Sequence, residues 1–213
     1  MAGFNKLCIA LVAICLTSLT SAANANRIVN GDFEQGLDPN NGVVPLGWQF
    51  FGDGVNEVIS LSSDTPSGVG NSADIDVDTV VGLAWLVQDV PLAGIPVGTE
   101  LTFTASVKEV VPASPDDAWI AGQVWMLPNS DSGLILSSVA LFYSAPNWTE
   151  QSTTIPVAAG AGIARVLFTP QNPSFLAGTG QYRIDDVSLV IPEPSTGLLF
   201  AMAAACLLHI RQK

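Results

Sequence analysis

Between residues 27 and 191 the chain alternates apolar and polar positions in short bursts, and no stretch holds a helical period. The clearest burst is ELTFTASVKEV, where Leu101, Phe103, Ala105 and Val107 alternate with Glu100, Thr102, Thr104, Ser106 and Lys108. A period of two puts one set inside and the other in water, so this run is a half-buried strand. The other strand candidates are WQFFGD, NEVISLSS, SADIDVD, LAWLVQDV, WIAGQVWML, SSVALFYS, TEQSTTIPV, ARVLFTP and QYRIDDVSLVI, separated by turns rich in Gly, Pro, Asn and Asp. Many short strands with regular turn signals predict an all-β sandwich or barrel rather than βαβ units. No repeat and no break in composition divides them, so one domain from about residue 26 to 191 is expected.

Two of these runs place carboxylates in informative patterns. In Asp74-Ile75-Asp76-Val77-Asp78, a strand sets the three acids on one face about 6.6 Å apart, with Ile75 and Val77 opposite. Their repulsion calls for water or a cation, and a plain solvent-facing row is the favoured reading. An EF-hand is excluded, because Thr79 stands where that loop needs glycine and Trp85 where it needs its closing glutamate. In QYRIDDVSLVI, Val187, Leu189 and Ile191 share one parity, while Tyr182 and Ile184 share the other. Keeping both sets inward requires an extra residue at Asp185-Asp186, a bulge that turns a carboxylate sideways.

The two ends carry different signals. MAGFNKLCIALVAICLTSLTSAANA offers Lys6, an apolar run from Leu7 to Ile14, and the small-residue triplet Ala23-Asn24-Ala25. That order is a secretory signal helix, residues 1–25, cut by signal peptidase between Ala25 and Asn26. Ile14 before Cys15 does not suit lipid attachment, which needs a small residue there. At the far end, Gly197 to Leu208 is an apolar run of about a dozen residues, short of the ~20 that cross a bilayer core. Arg211 and Lys213 follow it, and cations there favour leaving that end in the cytoplasm.

The order Pro192-Glu193-Pro194, apolar helix and basic end resembles the PEP-CTERM sorting signal of certain Gram-negative bacteria. This segment, 192–213, departs from the pattern in its short helix and in carrying His209 and two basic residues instead of an arginine cluster. The resemblance implies recognition by an exosortase and transient residence in the inner membrane through a short transmembrane helix. Release or attachment at the cell surface or extracellular matrix then follows.

Composition narrows the chemistry. Cys8 and Cys15 lie in the signal and Cys206 in the tail, so the domain between them has no cysteine and must be held by its core. The only histidine is His209, which leaves no Ser-His-Asp or Cys-His nucleophile and no His/Cys zinc site in the domain. No glycine-rich phosphate cradle is present. Residues 26–191 hold four Arg and Lys against eighteen Asp and Glu, a formal charge of −14. Such a surface does not bind nucleic acid, whose phosphates need a basic face. It suits solubility or calcium. Adjacent pairs such as Asp116-Asp117 and Asp185-Asp186 point to opposite faces of an extended strand and do not flank one glycosidic bond.

Several fragments, in order, resemble the jelly-roll carbohydrate-binding modules of the galactose-binding-like class. They are RIVNGDFEQG, PLGWQF, WLVQDVPL leading into LTFTASV, NWTEQSTTIPV, and QYRIDDVSLVIP. The resemblance implies an all-β jelly-roll sandwich, flanked here by the signal helix and the C-terminal hydrophobic helix. It also implies a structural Ca²⁺ held by the acid of the opening loop, Glu34, by Asp185 of the closing strand, and by backbone carbonyls near Asn30 and Gly31. Hard oxygen ligands of this kind are what Ca²⁺ takes.

Of the five tryptophans, Trp48 and Trp148 match fragments used for packing and are expected in the core. Trp119 and Trp125 sit at even separation in AWIAGQVWML beside Asp116, Asp117 and Gln123, the setting in which an aromatic plane meets a sugar. They are the candidate ligand-binding residues. The expected function is therefore that of an exported, non-catalytic surface or matrix protein that binds polysaccharide. The alternatives are a calcium-stabilised structural or adhesive sandwich without a sugar ligand, and a polysaccharide-cleaving enzyme built on two carboxylates.

Overall fold

In a computed structural model of the chain, the residues described are 26–52, 57–77, 84–114, 119–171 and 179–191. The signal segment with Ala25, the sorting segment with Pro192, Glu193 and Pro194, and the acids Asp78, Asp116 and Asp117 lie outside them. Among the described residues no helix is long and apolar enough to cross a membrane.

Each alternating run forms a strand. In chain order they are β1 (Gln49–Phe51), β2 (Glu57–Ser62), β3 (Ser72–Val77), β4 (Trp85–Pro91), β5 (Glu100–Ser114), β6 (Trp119–Leu127), β7 (Ser137–Tyr143), β8 (Thr149–Pro156), β9 (Ile163–Gln171) and β10 (Thr179–Val190). Two five-stranded sheets result, β1-β4-β9-β6-β7 and β2-β3-β10-β5-β8, in which every strand pairing is antiparallel. This is the all-β jelly-roll sandwich expected.

The core lies between the sheets. Leu101, Phe103, Ala105 and Val107 of β5 are at most 1 % exposed and face Phe168, Val166 and Val124 of the other sheet's inner side, with the Phe103 and Phe168 rings 6.2 Å apart. Trp48 closes one end of this layer. It is buried against Phe33 and Phe168, and its indole Nε1 donates to the Asn30 carbonyl at 3.1 Å. Buried apolar area of this kind is the main stabilising term for a domain without disulfides.

The N-terminal segment, residues 26–48, is tied to both sheets. The Asn26 side chain donates to the Val187 carbonyl at 3.0 Å and accepts from the Leu189 amide at 3.0 Å, as a neighbouring strand would. The Arg27 amide donates to the Leu189 carbonyl at 2.9 Å. On the other side, buried Gln88 of β4 accepts from the Val29 amide at 2.7 Å and donates to the carbonyls of Val29 and Gly47, both at 2.9 Å. One amide side chain thus takes the place of ladder bonds that the three-residue β1 does not supply.

Trp148 differs from expectation. It is half-buried rather than in the core, and its Nε1 donates to Asp64 Oδ1 at 3.1 Å on the outer side of the second sheet. A tryptophan with a donor to satisfy settles beside an anion at the edge of burial more readily than in an apolar interior.

Candidate functional site

The first sheet exposes a face of aromatic side chains. Along β6, Ile120, Gly122, Val124 and Met126 point to the core, so Trp119, Ala121, Gln123 and Trp125 all point outward on one side. Trp119 and Trp125 therefore share a face. Registers extend this face across the sheet: Phe51 pairs with Trp85, and Ala121 pairs with both Thr169 and Phe142. One step from the Leu86–Phe168 pair brings Trp85 level with Thr169. A single rung thus runs Phe51, Trp85, Thr169, Ala121, Phe142 across five strands, about 19 Å at the usual strand spacing.

The rung has aromatic ends and a floor of small residues. Phe51 is 53 % exposed and Phe142 47 %, whereas Thr169 and Ala121 are buried. Two perpendicular ring pairs flank the floor. Trp85 and Trp125 meet at 82° with centroids 6.1 Å apart, and Trp119 and Phe142 at 79° and 5.5 Å. Val87 and Leu167, which lie on the same outer side, are almost wholly buried, as expected if the indoles of Trp85 and Trp125 cover them.

Polar groups around this face are largely committed. Arg165, directly opposite Trp125, grips Asp89 through Nε to Oδ1 at 2.7 Å and Nη2 to Oδ2 at 2.8 Å, and Nη2 also donates to the Ser130 carbonyl at 2.8 Å. The hydrogen bonds to Asp89 hold the Arg165 guanidinium above its ordinary pKa. Trp125 Nε1 donates to Gln123 Oε1 at 2.8 Å. The buried Nε1 of Trp119 has no hydrogen-bond partner among the described residues.

The acids implied in calcium binding gather at the opposite sheet's closing strand. The register of β10 against β5 shifts between Asp185 and Ser188, and Asp186 adopts φ 50°, so the bulge required by the parity of QYRIDDVSLVI is present. Asp185 is buried, 5 % exposed, and its Oδ1 accepts from the Asp186 amide at 2.8 Å. Burial pushes its carboxyl up to about 7; the Asp186 amide opposes this, while the charges of Asp186, Glu34 and Asp32 add to it.

The other implied ligands are already engaged. Glu34 Oε1 accepts from the Asn71 amide at 2.6 Å. The Asn30 carbonyl accepts from Trp48 Nε1 and from the Phe33 amide, and the Gly31 carbonyl accepts from the Val187 amide at 2.8 Å. Beside them a polar recess of about 290 Å³ is lined by Asn26, Asn30, Asp32, Gln35 and Asp186 among others. Among the described residues, no three of His, Cys, Asp and Glu converge to hold a metal ion.

The acidic row of β3 has its own partners. Asp74 is buried rather than solvent-facing, and it accepts from Gln181 Nε2 at 2.9 Å and from Arg183 Nε at 3.1 Å. Asp64 accepts from Lys108 Nζ at 2.6 Å, from Trp148 Nε1 and from Arg183 Nη1. The Lys108 hydrogen bond, helped by those from Trp148 and Arg183, holds the Asp64 carboxyl at about 2 against the cost of burial.

Sequence reasoning missed Trp85, Phe51 and Phe142. Trp85 lies in LAWLVQDV, a run apolar on both parities, which gave no hint of an outward face. Its register with the exposed Phe51 is the signal that locates it.

The fold class is a jelly-roll β-sandwich, and solved structures share it. A family 16 carbohydrate-binding module is 18 % identical over 78 % of this chain and 99 % of its own, with a TM-score of 0.53. A xylan-binding domain of carbohydrate-binding module family 22 is 11 % identical over 80 % of this chain and 98 % of its own, TM-score 0.52. The enzymatically active domain of tailspike protein 4 from bacteriophage CBA120 is 14 % identical over 78 % of this chain, TM-score 0.60, and this chain spans 21 % of it. No protein-family model matches the sequence, and no curated protein matches it.

Proposed function

We propose that the protein is an exported, non-catalytic polysaccharide-binding module whose binding surface is the outer face of the first sheet. The observation that carries this reading is the rung of aromatics over a small-residue floor. Sugar rings present apolar faces that stack on aromatic planes, and exposed aromatics in a shallow groove favour that contact over association in bulk water. A five-strand width accommodates several sugar units in line. Likeness to carbohydrate-binding modules supports the fold on which such a face is built.

Export rests on the two ends of the sequence: signal peptidase acts at Ala25-Asn26, and an exosortase acts on the Pro192-Glu193-Pro194 tail in a Gram-negative inner membrane. The bound calcium of this reading is structural. Asp185 and Glu34 supply its anionic ligands and the carbonyls of Asn30 and Gly31 its neutral ones, and a buried carboxylate among like charges favours a divalent partner.

Affinity electrophoresis of the mature protein against neutral polysaccharides, xylan included, tests the main claim. Retardation by at least one glycan is expected, weakened about tenfold or more in Trp85→Ala and in Trp125→Ala. Retardation that survives both substitutions unchanged would place binding elsewhere.

A further inference from the structure

Three loops gather at one end of the sandwich, and they carry almost no charge. They are residues 92–99 between β4 and β5, 128–136 between β6 and β7, and 157–162 between β8 and β9. Backbone bonds tie them together: the Leu92 amide donates to the Gly162 carbonyl at 3.0 Å, the Gly162 amide to the Leu127 carbonyl at 2.9 Å, and the Gly98 amide to the Val157 carbonyl at 2.9 Å. Asp131 is the one charged residue in the three loops, and Glu100 opens the strand after the first, in a domain whose net charge is −14. At the tips, Val97, Leu134 and Ile135 are 65, 61 and 43 % exposed. Aliphatic side chains held in water on a nearly neutral end mark a surface that meets something apolar.

What it meets follows from where the chain leaves the domain. Val190, the last residue of β10, pairs with Thr102 of β5, and Thr102 pairs with Thr154 of β8. Thr102 lies close to the start of β5 and Thr154 close to the end of β8, where loops 92–99 and 157–162 begin, so the chain exits at this same end. Only residues 192–196 separate Ile191 from the apolar run Gly197 to Leu208, a reach of at most about 20 Å. The twelve residues of β10 span about 40 Å. With that run in a bilayer, the tether brings the exit end to the surface and is too short to bring round the far end, where Asn147 precedes β8. A nearly neutral end also approaches anionic lipid without the repulsion that the rest of the domain meets.

We propose that this loop end is a membrane-docking face: while the tail is uncut, Val97, Leu134 and Ile135 enter the interfacial layer of the bilayer and hold Pro192-Glu193-Pro194 at its surface. The proposal is independent of sugar binding, and it rests on the reading of the tail as a membrane segment.

Fluorescence of the mature chain with its tail, residues 26–213, tests it in phosphatidylcholine vesicles. Cys206→Ser removes the last thiol of that chain, so an environment-sensitive dye can be placed on Ile135→Cys or, at the far end, on the exposed position Asn147→Cys. Flotation shows first whether the chain stays with the vesicles. Lipids carrying a nitroxide near the headgroup boundary are then expected to quench the dye at 135 about threefold or more as strongly as the dye at 147. Val97→Asp with Leu134→Asp is expected to abolish that difference, while the chain still floats and its melting temperature holds within about 2 °C. Equal quenching at both sites overturns the proposal and leaves the tail's membrane role standing, as does a difference that survives the double substitution. A dye at 135 that emits as if buried but is not reached by the lipid quencher shows a second copy of the chain on this face, and overturns the proposal too. A chain that does not float removes both the reading of the tail and the proposal.

Discussion

Asp185 shows how one position shapes the domain. A carboxyl raised to about 7 by burial favours its neutral form when folded, so its contribution is intact below its unfolded value near 4. That contribution is lost as pH rises from about 4 through about 7, where folding must keep a buried charge. Thermal melts in chelator should therefore show Asp185→Asn more stable than the parent at pH 8 and equal to it near pH 4. A parent curve without this neutral-pH penalty would mean that the carboxyl is better solvated than its burial implies. With calcium added, the parent should gain stability and Asp185→Asn should not. Gly31 is a second such position, because a Cβ there would run into the Val187 carbonyl that lies over it. Gly31→Ala should cost about 2 kcal/mol or more in urea unfolding, since neither backbone can retreat without breaking the Gly31–Val187 bond. At the acid end, Asp64 reverses the sign of Asp185. Its carboxyl is depressed to about 2, so its contribution is present above pH 4 and fades as pH falls toward 2.

Among elements, β4 bears the most unusual load. Its outward residues Trp85 and Val87 belong to the aromatic face, while inward Gln88 holds the N-terminal segment through three hydrogen bonds. Gln88→Ala leaves one amide and two carbonyls of the N-terminal segment without their partner at a part-buried seam, and should cost about 1–3 kcal/mol, a fall of several degrees in melting temperature. Gln88→Glu should restore the bond from the Val29 amide but repel the two carbonyls, so it is not expected to rescue. The ten strands were legible in the sequence because turn residues bound every run and most of the runs alternate, and the bulge at Asp185-Asp186 was legible because parity cannot otherwise be reconciled. Trp85 was not legible. Its strand is covered on both faces, inward by the core and outward by the indoles themselves, which erases the alternation that reveals a surface. The placing of Trp148 also escaped, because its partner Asp64 is 84 residues away and only the fold brings them together.

On the scale of the molecule, charge and ligand face are separate. The aromatic face keeps its charges paired, as Arg165 with Asp89, while the domain as a whole carries −14. Affinity for a neutral glycan should then change less than about twofold between 0.05 and 0.5 M NaCl, because stacking and neutral hydrogen bonds are little screened. An affinity that falls steeply with salt would show that charge, and not the rings, drives association. The pairing of Arg27 with Leu189, and of Asn26 with Val187 and Leu189, sets the first and last turns of the fold shoulder to shoulder. A domain hinged at one such doorway can be spliced into a surface loop of an unrelated host without being pulled open, and it should keep its grip on sugar there.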